Sequence, residues 1–477
     1  MRRLLIIPAA LLVLLGGPVL ATESTAPPPA TTDEVPVAPA DQTVSDGWTS
    51  PETPVDANLV GVTWDGDPAA EFSVEVRGAD GTWTKPTQVG ADADNQAEPG
   101  TQDAVGAAQH PATTASEPVW IGNDATAVRV VLDSGVASNV TLATVDAEPA
   151  ATPGGAAAAV AGLLPIVDGP SRYLFAGALF ALAGLLVAIA LGWSPWRRRK
   201  PGRTAALLAL GALLIVACRP VAPPPPPPIP SGAVQPGMIM RAQWGARPFG
   251  TGPVACPGGP EYAYGLRFAV VHHTVNSNNY SPSDSYAMMR AIQSYHMNVN
   301  GYCDIAYHFI VDKHGQLFEA RAGGITQPVI GGHAGGFNTA SVGIALLGDY
   351  SNIRATTAQW NVLVHLLRWR LSVGRVDPAQ GYLHNVAASP CNCQNWPPGT
   401  WVWFPNAIVT HRDVDRTACP GSAFYAQLAT LRSQVQSGIV IPPTTTTSTS
   451  TTTTTVAATA SDPTTTSSGP TSTTTSP

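Results

Sequence analysis

Phe268-Ala269-Val270-Val271-His272-His273-Thr274 is an apolar, β-branched run that ends in two imidazoles and a hydroxyl. Residues 268–273 read as a buried strand. Successive strand side chains point to opposite faces, so only one of His272 and His273 can face a given site. A second stretch, His411-Arg-Asp-Val-Asp-Arg-Thr-Ala-Cys-Pro-Gly421, sets an imidazole and a thiol close together, with Thr417 between them. Imidazole and thiolate suit zinc, and a catalytic zinc takes three protein ligands and keeps one position open. The second stretch supplies two ligands and the strand supplies the third. The pattern predicts a hydrolytic zinc site.

Around these stretches the elements alternate. Residues 283–299 form a helix with Met288, Ala291, Ile292, Tyr295 and Val299 on one face. Residues 306–311, 317–320, 342–347 and 408–411 read as strands. Residues 357–373 and 422–435 read as helices. Strands with interspersed helices make an α/β layer fold with a buried central sheet.

The blocks Arg241-Ala-Gln-Trp-Gly-Ala246, Val271-His-His-Thr274, Ile292-Gln-Ser-Tyr-His-Met297, Asp304-Ile-Ala-Tyr307, Gly332-His-Ala334, Asn338, Ser341-Val-Gly-Ile344, His411-Arg-Asp-Val414 and Thr417-Ala-Cys-Pro-Gly421 follow one another in order, with Gly315, Glu319 and Arg321 between them. In this, residues 238–438 resemble the peptidoglycan recognition proteins and the zinc-dependent N-acetylmuramoyl-L-alanine amidases of the phage-lysozyme type. The resemblance implies a central mixed sheet flanked by helices. It implies His272, His411 and Cys419 as Zn2+ ligands, Tyr307 as a catalytic group and Thr417 as a second one beside the metal. His273, His333 and Asn338 are read as residues of the substrate groove, whereas His296, His308 and His314 receive only surface or packing roles. Zinc lowers the pKa of a bound water to about 7, which suits amide hydrolysis at neutral pH. The family's usual Asp-Ile-Gly-Tyr is here Asp304-Ile-Ala-Tyr307, and its usual Tyr-Asn-Phe is Tyr307-His308-Phe309. An insert over residues 387–404, with Cys391, Cys393, Trp396, Trp401 and Trp403, precedes the His411 strand.

The rest of the 477-residue chain reads as what carries this domain. Residues 1–21 have Arg2 and Arg3 before an apolar run and end in Val19-Leu20-Ala21, the pattern of an export signal. Residues 22–54, rich in Pro, Thr and Ala, are expected to be a disordered linker. Residues 55–148 carry period-two runs (Val60, Val62, Trp64; Phe72, Val74, Val76; Val128, Val130, Leu132) and a turn at Ala79-Asp80-Gly81, which predict a small all-β sandwich. A linker, 149–172, leads to an uncharged apolar run, 173–193, of the length that spans a bilayer, about 20 residues. The basic loop 194–203 and a second apolar segment, 204–218, follow. This predicts a transmembrane helical hairpin whose loop is cytoplasmic, with both flanking domains outside. The second segment ends in Ile215-Val216-Ala217-Cys218, which resembles a bacterial lipobox; an ordinary short helix with a buried cysteine is the other reading. Residues 219–237 are a stiff proline-rich spacer, and 439–477 a Thr/Ser/Pro tail expected to be disordered.

Charged residues make up 12% of the chain, the formal net charge is -7 and no basic stripe occurs, so nucleic acid is not an expected partner. Few lysines beside abundant Arg, Ala, Gly and Pro point to a GC-rich bacterial genome. Export makes disulfides available to Cys256, Cys303, Cys391 and Cys393, in any of three pairings. The expectation is an amidase that cuts peptidoglycan at the outer face of a bacterial plasma membrane. The alternative is a receptor or wall anchor that binds peptidoglycan without cutting it.

Overall fold

The computed structural model of the chain describes residues 29–92, 97–109, 114–147, 234–389 and 393–438. The expected export signal, the apolar hairpin, most of the proline-rich spacer and the Thr/Ser/Pro tail lie outside the described residues. No described helix is long and apolar enough to cross a membrane.

The α/β domain is built on a five-stranded sheet. Its order is Leu317–Glu319, Phe309–Val311, Ser341–Leu346, Phe268–His273, Ile408–Thr410. All neighbours are parallel except the first pair. Burial on both faces explains the unbroken apolar character of the Phe268 and Ser341 strands. One face packs Val271, Phe309, Val311, Ile344 and Leu346 against helices Thr357–Gly374 and Leu428–Ser437. The other packs Ile310 and Ala345 against helix Asp284–Asn298. The helix expected over residues 422–435 is instead two, Ser422–Tyr425 and Leu428–Ser437. Cys256 and Cys303 form a disulfide, and Cys393 is disulfide-bonded as well. The insert forms a strand, Trp401–Phe404, paired with Tyr382–Asn385.

The N-terminal domain is an antiparallel sandwich of a six-stranded and a four-stranded sheet. Val60, Val62, Trp64, Phe72, Val74, Val128, Val130, Leu132, Val140 and Leu142 fill the space between them. The expected turn is present: Asp80 accepts from Thr82 N at 2.9 Å, and Gly81 has φ 80. The sandwich starts earlier than residue 55. Thr31–Pro36, Thr43–Ser45 and Thr53–Pro54, all in the stretch expected to be disordered, pair as strands. Val37, Ala38 and Val44 of this stretch are buried in the core. The Pro-bearing strands Thr31–Pro36 and Thr53–Pro54 lie at sheet edges, where a missing N–H is tolerated. An average over composition conceals such isolated anchors.

The period-two reading also expects a solvent-facing side for the strand Leu59–Gly66. Instead it is buried on both faces from Leu59 to Trp64. Leu59, Ala143, Val145 and Ala147 on the outer face pack with Ala287, Met288, Ala291, Ile292 and Tyr295 of the Asp284–Asn298 helix. A Cβ built on Gly61 would come 2.2 Å from Tyr295 Oη, so this close approach requires glycine. The helix is therefore buried on both sides, from Ala287 through Met297. Its polar residues find partners: Arg290 Nη1 donates to Trp244 O at 3.0 Å and Gln293 Nε2 to Asp304 Oδ1 at 2.6 Å.

Candidate metal centre

Strand register builds the centre. Ala269, Val270 and Val271 pair with Ile408, Val409 and Thr410 in parallel, so the next residues, His272 and His411, lie side by side at the carboxyl ends of adjacent strands. Ligand sites of open α/β sheets form at such ends. The two imidazole centroids are 4.7 Å apart. A one-turn helix, His411–Val414, starts there, with Thr410 and Asp413 forming a capping box. The chain then returns, and Arg412 N donates to Cys419 O at 3.0 Å. This brings Cys419 Sγ to 3.8 Å from His272 Nδ1. Ligand atoms of His272, His411 and Cys419 all lie within 4.8 Å of one another, and all three residues are buried. Cys419 is not in a disulfide.

Hydrogen bonds fix which nitrogen each histidine presents. His411 Nε2 donates to Asp415 Oδ2 at 2.9 Å, and Gly335 N donates to the same oxygen at 3.0 Å. His272 Nε2 lies 3.1 Å from His333 Nδ1, and His333 Nε2 lies 3.2 Å from Ser341 Oγ. Ser341 Oγ donates to the carbonyl of Asn338 at 3.0 Å. Ser341 thus spends its proton on Asn338, which makes His333 Nε2 a donor and His333 Nδ1 an acceptor. His272 Nε2 must then carry a proton. Both His272 and His411 are left with Nδ1 lone pairs on the side of Cys419. Such outer partners orient metal-binding imidazoles and set their tautomers. Zinc bond lengths imply about 3.5 Å between a nitrogen and a sulfur on one tetrahedral ion. The observed 3.8 Å and the donor set fit that ion.

The other site residues divide. The Tyr307 ring stands 5.3 Å from that of His272. Thr417 Oγ1 accepts from Cys419 N at 3.1 Å, so this hydroxyl shapes the cysteine loop. His273 N donates to Cys419 Sγ at 3.4 Å, while its Nδ1 accepts from Tyr350 N at 3.1 Å. The His273 ring lines a small cavity together with Tyr307, Thr274, Ile292 and His296.

His333 and Asn338, expected in the substrate groove, are both fully buried. His333 is fully buried, and a Cβ on Gly343 would come 2.4 Å from its ring. Burial, then the nearby His272, pushes its pKa well below the ordinary value. Asn338 Oδ1 accepts from His333 N at 2.7 Å and Ala334 N at 3.0 Å. It folds the loop that carries His333 behind the centre. A histidine in a glycine-rich loop reads as exposed because its burial depends on where the loop folds. Sequence reasoning missed Asp415 and Ser341. For Asp415 a signal exists, since it lies at i+4 from His411.

The cavity has a second wall. Asp92, Glu117 and Pro118 of the N-terminal sandwich line it opposite His273 and Tyr307.

Residues 263–422 match a family described as N-acetylmuramoyl-L-alanine amidase. Peptidoglycan-recognition protein SC2 of Drosophila melanogaster is 27% identical over 193 residues, which cover 40% of this chain and 85% of that protein. Peptidoglycan recognition protein 3 of Homo sapiens is 26% identical over 197 residues, covering 41% of this chain and 47% of that protein. Among solved structures, the endolysin N-acetylmuramoyl-L-alanine amidase LysCS from Clostridium intestinale is 21% identical, with 43% of this chain and 98% of that one covered and a TM-score of 0.30.

Proposed function

Because the domain containing residues 263–422 belongs to the N-acetylmuramoyl-L-alanine amidase and peptidoglycan recognition family, we propose that this chain is a zinc-dependent hydrolase of bacterial peptidoglycan. It cuts the amide between N-acetylmuramic acid and L-alanine. The observation that carries this reading is the convergence of His272, His411 and Cys419, with ligand atoms within 4.8 Å of one another. The tautomers enforced by His333 and Asp415 support it.

In this reading His272 Nδ1, His411 Nδ1 and Cys419 Sγ hold the ion. Bound zinc supplies a Lewis acid at the scissile carbonyl and a nucleophile at neutral pH. The residues of the chain do the rest. Asp415 and the His333–Ser341 pair keep protons off both ligand nitrogens. Tyr307 offers a hydroxyl to the oxygen on which charge develops, a donor role worth several kcal/mol in such sites, about 3–4. Thr417 keeps the cysteine loop in register.

Two features of the sequence support a place at the outer face of the plasma membrane: the signal-like residues 1–21 and the apolar segments 173–193 and 204–218 around a basic loop. The zinc-loaded chain incubated with purified sacculi is expected to release free stem peptides. Release should cease with a chelator and in Cys419→Ser. Binding to sacculi with no release in any state would make the chain a receptor rather than an enzyme.

A further inference from the structure

Part of the N-terminal sandwich sits against the groove. Pro118 O accepts from Asn276 Nδ2 at 2.8 Å, and Ser116 O accepts from Tyr295 Oη at 2.9 Å. Asp92 Oδ2 accepts from Asn300 Nδ2 at 3.0 Å. Asp103 Oδ1 accepts from Cys303 N at 2.7 Å, and its other oxygen makes a buried ion pair with Arg321. Arg321 N in turn donates to the carbonyl of Tyr307. Glu98 accepts from Thr339 Oγ1. On the far flank, Gln102 engages Glu261, Gly258 and Gly259. Ala97 packs with Tyr302 and Ala306. These contacts follow the chain that leads into Tyr307.

The consequence is access. His272 and His411 are fully buried, Cys419 is 1% exposed and Tyr307 3%. A polymer cannot reach groups so enclosed, and the small cavity beside them is walled by Asp92, Glu117 and Pro118. The family match lies within residues 263–422 and leaves out the sandwich, which is therefore an addition to the catalytic fold.

Resting on the reading of the groove given above, we infer that the chain folds as a latent enzyme, in which the sandwich residues Asp92, Glu117 and Pro118 wall the substrate entrance and must withdraw before a glycan-linked peptide can bind. The seam has two parts: a largely polar grip on this side, and the apolar packing of Leu59, Ala143 and Val145 on the Asp284–Asn298 helix. Buried ion pairs contribute little net stability beyond their desolvation cost. Substrate then competes with the chain's own segment. Its apparent affinity falls by the fraction of molecules that are open.

The test uses the full chain and two variants. Gly61→Leu drives a wedge against Tyr295. Gln102→Ala removes the side-chain grip on Gly258 and Gly259 and leaves Asp103 in place. Exchange of the Cys303 amide, whose acceptor is Asp103, reports undocking. Binding of a soluble muramyl-peptide fragment reports access, and both are measured beside stem-peptide release. The variants should speed Cys303 exchange, bind the fragment about tenfold tighter or more, and release stem peptides faster than wild type. Latency is overturned if the variants speed exchange yet bind the fragment no better than a wild type that also binds it. It is equally overturned if neither variant, still folded by circular dichroism, changes Cys303 exchange, since the sandwich is then a fixed wall. If undocking makes Cys419 of the metal-free protein react faster with a maleimide while no form binds the fragment, latency stands and the assignment to peptidoglycan fails.

Discussion

Replacing Asp415 by alanine removes the acceptor that aims His411 at the centre. Asp415 is buried, and its Oδ2 takes two hydrogen bonds, from His411 Nε2 at 2.9 Å and Gly335 N at 3.0 Å. Bonds to a charged acceptor contribute about 1.5–3 kcal/mol each. Loss of both should lower stability by about 3–6 kcal/mol. Freed from its partner, the His411 imidazole can rotate or change tautomer. Loss of such an outer partner lowers metal affinity about 10–100-fold, or about 1.4–2.7 kcal/mol. Asp415→Asn keeps the shape and an acceptor oxygen but not the charge, so its loss should be smaller. The assay is competition for zinc with a chromophoric chelator, beside a denaturant titration of each metal-free protein. Equal zinc affinity in wild type and a folded Asp415→Ala would refute the claim that Asp415 sets the ligand geometry.

Three further outcomes are expected. His308 is held neutral: Nε2 donates to Val329 O at 2.7 Å, Nδ1 accepts from Gly343 N at 2.9 Å, and burial lowers its pKa from 6.5 to about 3. Between those values the unfolded chain binds the proton and the folded one does not. Stability is thus fully present above pH 6.5 and falls on acidification by about 1.4 kcal/mol per unit, a slope that His308→Asn should flatten in denaturant titrations. Burial raises the pKa of Glu98 above its ordinary 4.5, so ionisation costs the folded state as pH rises past that value. Glu98→Gln should raise the melting temperature at neutral pH and leave it unchanged in acid below 4.5; a gain that persists in acid contradicts the burial argument. Gly343→Ala places a methyl 2.4 Å from the His333 ring and should cost about 1–3 kcal/mol while weakening zinc binding. Unchanged zinc affinity would show that His333 does not brace His272.

The convergence of His272, His411 and Cys419 was legible because each sits in a local pattern: a strand ending in histidines, and a histidine and cysteine in one short stretch. The choice of ring nitrogen was not legible, since it depends on Asp415 and on the His333–Ser341–Asn338 relay, which only the folded loop assembles. The burial of His333 and Asn338 was not legible for the same reason. In the sandwich, Val60, Val62 and Trp64 gave away one face. Leu59 and Gly61 on the other face carry no period-two signal of their own, although a small residue beside an apolar one marks a packing surface as readily as a solvent face. The early strands were hidden by proline and threonine, whose edge positions depend on partners about a hundred residues away.

The sheet holds two arms of the centre and leaves the third outside it. His272 and His411 are as fixed as the hydrogen-bonded strands that end in them, whereas Cys419 hangs from a short return clasped by Arg412 N and Thr417 Oγ1. Were zinc bound as proposed, the sheet would present the two imidazoles and the return would present the thiolate. Substitutions within that return would then alter the third arm of the centre while leaving the first two in place.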